Sequence, residues 1–459
     1  MLFHTWTFVV FFLIVYPVYL LTRGTRFMNP WLLLASYVFY GWWNPLYLFL
    51  IAATTSFDYW VVLRMERTRF KKPWIVLSLI SNLGLLGFFK YAGFVTRNLN
   101  VVLTHIGALH LPEPDILLPV GISFFTFQSM SYTIDAYRGD IKTERSLIRF
   151  ATFVSLFPQL VAGPIERARN LLPQLYGKRK IGRADITEGL SHFLVGLFKK
   201  MALADYLALY VDKVYASPGD FQAPALVLAT VAFGWQIYFD FSGYTDMARG
   251  TAQLMGFRLM LNFNNPYVAR GLGDFWNRWH ISLSTWFKDY VYFPLGGNRH
   301  GTFATYRNMF VTMLLSGIWH GAAWTFVIWG VLHALGRVLT RELEQTAFYA
   351  QRIPRLAKQA GVFAFVTFAW IFFRAGSFAD ARVIMTRLRH WEWSDPGAPL
   401  LMFGLIVVMW LYEDLYDRGG ATRRLLERPA LRFASALAMI CWLWVVAAPA
   451  TRAFLYFQF

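Results

Sequence analysis

Long apolar runs alternate with short basic ones along the chain, and that alternation sets its elements. Residues 1–21, MLFHTWTFVVFFLIVYPVYLL, have no basic residue in front of the apolar run and Arg23 and Arg26 behind it. A secretory signal carries its charge first and small residues at a cleavage site, so this run is expected to remain as a first span with its N-terminus outside. Residues 31–63 are too long for one crossing and are interrupted at Trp43-Asn44-Pro45, which predicts two helices and delivers the basic residues 64–72 to the cytoplasm. Residues 74–94 cross outward, and 97–118 form an outside loop. The stretch PVGISFFTFQSMSYTIDAY, 119–137, is rich in hydroxyls and holds a glutamine. That composition suits a span facing a protein interior or a polar cavity.

Residues 138–149 and 166–183 are both basic and both belong on the cytoplasmic side. The run between them, FATFVSLFPQLVAGPI, therefore cannot cross once. Its Pro158, Gly163 and Pro164 predict a broken re-entrant or interfacial segment, because irregular backbone survives in a membrane only where protein or water satisfies it. Spans at 187–210 and 223–241 follow, and FDFSGYTDMARG is expected to bring Asp240 and Asp246 to the membrane boundary. From 258 to 300 aromatic residues mix with charge and no clean span is visible, which predicts re-entrant or surface-lying helices. Spans before and after Gly317 and Gly321, then at 361–373, 400–412 and 431–450, complete roughly twelve crossings. The terminal peptide RAFLYFQF then falls outside; the loop 374–390 is basic where this alternation also places it outside. The pattern is that of one all-α polytopic membrane domain, with N-terminal helices in 1–118, a core in 119–340, and C-terminal helices with an aromatic tail in 341–459.

Composition agrees with this class. The 459 residues could make two or three soluble domains, but 57% are apolar and 19% aromatic. A net charge of +18 suggests nucleic acid in a soluble protein; here the Lys and Arg lie between apolar runs, which is the positive-inside pattern, and no nucleic-acid partner is expected. The single cysteine, Cys441, allows no intramolecular disulfide and no cysteine metal cage.

Candidate chemistry concentrates in two stretches, GDFWNRWHISLSTWFKDYVYFPLGGNR at 273–299 and SGIWHGAAW at 316–324. Ionisable groups at membrane depth are costly and are by default functional candidates. His320 lies between Gly317 and Gly321 in an apolar run, where a neutral imidazole can take a proton from a hydroxyl or thiol. It can equally be a packing histidine bonded across helices. On a helix, Trp276, His280 and Leu283 share a face with Phe287, so His280 emerges from an aromatic wall that lines an acyl pocket or is simply packing. Lys288, Arg278 and Arg299 are placed to attract phosphates. No carboxylate stands at helical ligand spacing from either histidine, so no metal site is expected, and GxSxG, Walker and HExxH motifs are missing. The tail FLYFQF holds one phenol, Tyr456, which either meets a buried base or belongs to an interfacial aromatic belt.

FWNRWHISLSTWFKDYVYFPLGGNR and SGIWHGAAW, with PVGISFFTFQSMSYTIDAYRG and FPQLVAGPIERARNLLPQL, resemble the membrane-bound O-acyltransferases. The likeness is to the bacterial branch of alginate and cellulose O-acetylation, peptidoglycan O-acetylation and D-alanine export. The resemblance implies about 11–12 transmembrane helices, with re-entrant and interfacial helices, around a central funnel and tunnel. It makes His320 the catalytic histidine and His280 the second one, with Trp276, Asn277, Arg278, Trp279 and Trp319 lining the donor route. It implies no bound cofactor; acetyl-CoA or an acyl carrier protein is the thioester co-substrate. By the same resemblance Tyr456 is an acyl relay to a periplasmic SGNH-type acetyltransferase or other acceptor protein. The setting is the inner membrane, with membrane lipid around the chain, and the product is O-acetylated exopolysaccharide. Two alternatives stand beside this. One is D-alanyl or lipid acyl transfer from a carrier docked on the basic residues 178–183. The other is a lipid or glycan transporter that uses the histidines as proton relays.

Overall fold

A computed structural model describes residues 1–392, 397–446 and 454–455, and among these every regular element is helical. The expected break at 43–45 separates helices Met28–Gly41 and Leu46–Glu66, with the Asn44 side chain accepting the Leu46 N–H at 3.0 Å. The next helix is longer than the sequence pattern suggests. Lys72–His105 runs into the expected outside loop as far as His105, because Arg97 does not interrupt its helical periodicity. Residues 147–165 behave as their proline and glycine content predicts. Helix Leu147–Ser155 stops, and the chain continues irregular and buried through Ile165. The side-chain amides of Gln128 and Gln159 both donate to the Phe153 carbonyl, at 2.6 and 2.7 Å, and the Ser36 hydroxyl accepts the Phe157 N–H at 3.0 Å. The freed backbone is thus satisfied by protein. A Cβ on Gly163 would lie 2.4 Å from the Gln159 backbone, so the turn admits only glycine.

Among the described residues four helices are long and apolar enough to cross a membrane: Leu46–Glu66, Lys72–His105, Ala223–Leu254 and Arg355–Arg374. Two shorter apolar helices, Trp6–Thr22 and Pro429–Val445, accompany them. The apolar window of Lys72–His105 is 22% buried and that of Ala223–Leu254 is 83% buried. The first therefore offers its side chains to lipid, while the second is enclosed by protein.

The chain forms two compact units, Met1–Phe193 with Thr245–Met260, and Leu194–Tyr244 with Leu261–Phe459. The first is centred on Phe3, Phe8, Phe11, Phe39 and Phe157, packed ring against ring. Among its buried carboxylates, Asp58 accepts from Ser78 at 2.7 Å, Asn82 at 2.9 Å and Ser129. The span expected at 187–210 is not one smooth helix. A π turn, Lys199–Ala204, separates Arg183–Phe198 from Asp205–Ala216. The span expected to end at 241 continues as one helix, Ala223–Leu254, which carries both Asp240, buried, and Asp246. Arg374, which contributes to the anomalous basic loop, is paired with Asp212 at 2.7 Å, so part of that loop's charge is already balanced.

Candidate active site

His320 is the last residue of helix Gly301–His320. The helix stops because Gly321 turns extended and packs under Phe326; a Cβ there would sit 2.1 Å from the phenyl ring. His320 is 3% exposed and enclosed by Trp319, Trp329 and Phe373, with ring centroids 5.1, 5.0 and 5.3 Å away.

His280 is not in mid-helix. Helix Leu272–Arg278 ends and Ile281–Phe287 begins on either side of it, and His280 holds φ 43 and ψ 54, the left-handed region that non-glycine residues rarely adopt. The face shared by Trp276, His280, Leu283 and Phe287 therefore does not exist as one helical stripe. Asn262 causes the break. Its carbonyl accepts the Ile281 N–H at 2.8 Å, and its side-chain oxygen accepts the Ser282 N–H at 3.3 Å and the Ser282 hydroxyl at 3.0 Å. The same oxygen lies 3.1 Å from His280 Nδ1. An oxygen receiving donors requires Nδ1 to carry the proton, which leaves Nε2 as the basic nitrogen. The imidazole is fully buried, edge-on to Phe241 at 4.6 Å, and its centroid is 6.2 Å from Trp319. Trp319 thus meets both histidines.

Beside them lies a half-open cavity of about 350 Å³, bordered by Trp276, Asn277, Lys288, Ser316, Arg337 and Arg341 among others. Ser316 is one helical turn before His320, on the same face. His320 does not itself border the cavity. Trp276, on the cavity wall, packs at 5.8 Å on Trp329, which in turn meets His320. The other sequence candidates lie elsewhere. Arg278 is held by Asp274 at 2.6 Å and Asp417 at 2.8 Å, and Arg299 donates to the Gly296 carbonyl at 3.2 Å. Trp279 is buried between Phe275 and Trp370. Tyr456 lies outside the described residues.

The structure adds His333, fully buried on helix Trp324–Glu344, 4.6 Å from Trp329 and 5.1 Å from Trp276. Its spacing of four from Trp329 was a readable signal that both share a helix face. Its nearness to Trp276, 57 positions away by residue number, was not.

Residues 46–379 match the membrane-bound O-acyltransferase family. The chain belongs to that family. It is 45% identical over 373 residues to "Probable alginate O-acetylase AlgI" of Pseudomonas aeruginosa, covering 80% of this chain and 71% of that one. It is 36% identical over 394 residues to the peptidoglycan O-acetyltransferase of Helicobacter pylori, covering 79% and 74%. It is 29% identical over 235 residues to the teichoic acid D-alanyltransferase of Bacillus subtilis, covering 49% and 60%. The resemblance read from the motifs is thereby borne out, and the chain is a multi-pass membrane O-acyltransferase.

The position of His320 in this acyltransferase depends on a close helix contact. A Cβ on Gly317 would lie 2.5 Å from the Phe326 carbonyl oxygen and 3.0 Å from Gly330 Cα, and one on Gly330 would lie 2.8 Å from the Met313 carbonyl oxygen. Small residues let the two backbones meet. Gly317→Ala must push helix Trp324–Glu344 away from Gly301–His320. It is expected to destabilise the protein by about 1–3 kcal/mol, read as a lowered thermal unfolding temperature; an unchanged temperature would contradict the packing.

Proposed function

We propose that this acyltransferase takes acetyl from a cytoplasmic thioester, acetyl-CoA, and passes it across the bacterial inner membrane for O-acetylation of an exopolysaccharide such as alginate or cellulose. The observation that carries the proposal is the cavity with Lys288, Arg337 and Arg341 on its border and Ser316, one turn from His320, on its wall. Guanidinium and ammonium groups suit the phosphates of such a donor, and the aromatic wall suits its acyl end. The acyl group passes Trp276 and Trp329 to reach the imidazole. His320 removes the proton of the acceptor hydroxyl, the new C–O bond forms as the C–S bond breaks, and the proton returns to the thiolate leaving group. His280, with Nε2 basic, orients the donor or assists that leaving group. Acetyl-CoA acts as a co-substrate, and no resident cofactor or metal takes part.

Tyr456 holds the acetyl before a periplasmic SGNH-type acetyltransferase or another acceptor protein moves it onto the polymer. The acetyl reading is supported over D-alanyl or lipid acyl transfer from a carrier protein because the likeness to the named acetylases covers far more of the chain than that to the D-alanyltransferases. Membership of an enzyme family removes the transporter reading.

Purified protein offered labelled acetyl-CoA and a charged carrier protein in competition is expected to consume acetyl-CoA; label drawn only from the carrier would overturn the donor assignment. Arg337→Ala with Arg341→Ala is expected to raise KM for acetyl-CoA by about tenfold or more with a smaller change in kcat, since hydrogen bonds to charged groups contribute roughly 1.5–3 kcal/mol. A KM equal to wild type would take the donor phosphates out of this cavity.

A further inference from the structure

A buried ionic cluster in the second unit has no part in the chemistry above. Lys200, on the π turn Lys199–Ala204, places its ammonium 2.8 Å from Asp205 Oδ1 and 2.6 Å from Asp240 Oδ1, and all three side chains are 4% exposed. Isolated π turns concentrate at functional sites. Two carboxylates face one ammonium, so the cluster carries a surplus negative charge that further donors must offset in a low-dielectric setting. Asp240 receives such a donor on its second oxygen: the backbone N–H of Leu455, at 2.7 Å. The neighbouring Phe454 is 1% exposed and Leu455 is 6% exposed. Phe454 packs on Phe241 at 5.5 Å and on Tyr244 at 5.1 Å, and Phe241 is the ring that lies edge-on to His280.

We infer that Asp240, held by Lys200, is the docking site for the chain's own C-terminal peptide. It grips that peptide through a main-chain N–H, beside the aromatic contacts that lead to His280. Asp240 is a positioning residue; its bearing on catalysis rests on the relay reading of Tyr456, while the docking itself does not. A carboxylate that takes a backbone N–H selects for the peptide's path rather than for the side chain at 455, so proline there is excluded.

The test uses the full-length protein in lipid nanodiscs. Cys441, the exposed cysteine, is replaced by serine, and Leu455→Cys, which keeps its N–H, becomes the maleimide target. With Asp240 present, Cys at 455 is expected to react slowly. Asp240→Ala should speed labelling by about 10-fold or more, the loss of one hydrogen bond to a charged group. That substitution leaves Lys200 with Asp205 as a neutral pair, and its thermal unfolding is measured alongside. If it does not fold, Asp240→Asn, which keeps an acceptor oxygen and loses the charge, takes its place and should give a smaller acceleration. Equal labelling rates in a folded variant would overturn the docking site, whatever becomes of the relay. Separately, acetyl transfer by Leu455→Pro should fall about 10-fold below that of Leu455→Ala. Faster labelling in Asp240→Ala with equal transfer by the two Leu455 variants would keep the docking site and remove the relay.

Discussion

Replacing His320 by alanine is expected to lower acetyl transfer by about 10²–10⁴-fold, the contribution typical of a positioned general base. The side chain ends a helix, is 3% exposed and is held on three sides by Trp319, Trp329 and Phe373. A structural role would show itself differently, since removing the ring opens a void among those aromatics and lowers stability without touching the chemistry selectively. The two are separated by measuring labelled acetyl transfer and thermal unfolding on the same preparations of wild type, His320→Ala and His320→Gln. Glutamine fills most of the space and cannot act as a base at neutral pH. Catalysis at His320 requires that glutamine recover stability and not turnover. A glutamine variant that transfers acetyl at the wild-type rate would remove His320 from the mechanism.

Lys200→Met carries the largest expected effect on stability. It leaves Asp205 and Asp240 buried with their shared cation gone, and breaking a buried ionic cluster by deleting one partner costs about 3–5 kcal/mol. The variant is expected to lose most of its folded population in detergent, followed by size exclusion and thermal unfolding. Replacing buried ions together is far milder than removing one. Lys200→Met combined with Asp205→Asn and Asp240→Asn should therefore recover much of the loss. A single variant as stable as wild type would show that the cluster is solvated or unimportant.

Several features were legible because they depend on neighbours in the chain. The helix break at Pro45, the irregular buried run after Ser155 and the short helices between 272 and 292 all follow from local proline, glycine and charge content. The motifs around His280 and His320 were readable for the same reason, as was the family they point to. Charge misled the reading where tertiary packing absorbs it. The span read as ending at 241 continues as helix to Leu254, past both Asp240 and Asp246, and Lys200 balances the buried Asp240. Arg97 likewise did not end its helix.

The sequence by itself determined an all-helical membrane protein, since periodicity and hydropathy are properties of adjacent residues, and the resemblance of its two histidine motifs to the membrane-bound O-acyltransferases supplied the activity. Only the tertiary structure decided that His280 sits at a left-handed break pinned by Asn262, and that Trp319 meets both His280 and His320. The pairing of Lys200 with Asp240 and the seating of Leu455 on that carboxylate were likewise decided there. Each of these joins residues that are remote in the chain or turns on a backbone angle, and both are set by how helices pack against one another rather than by any local pattern.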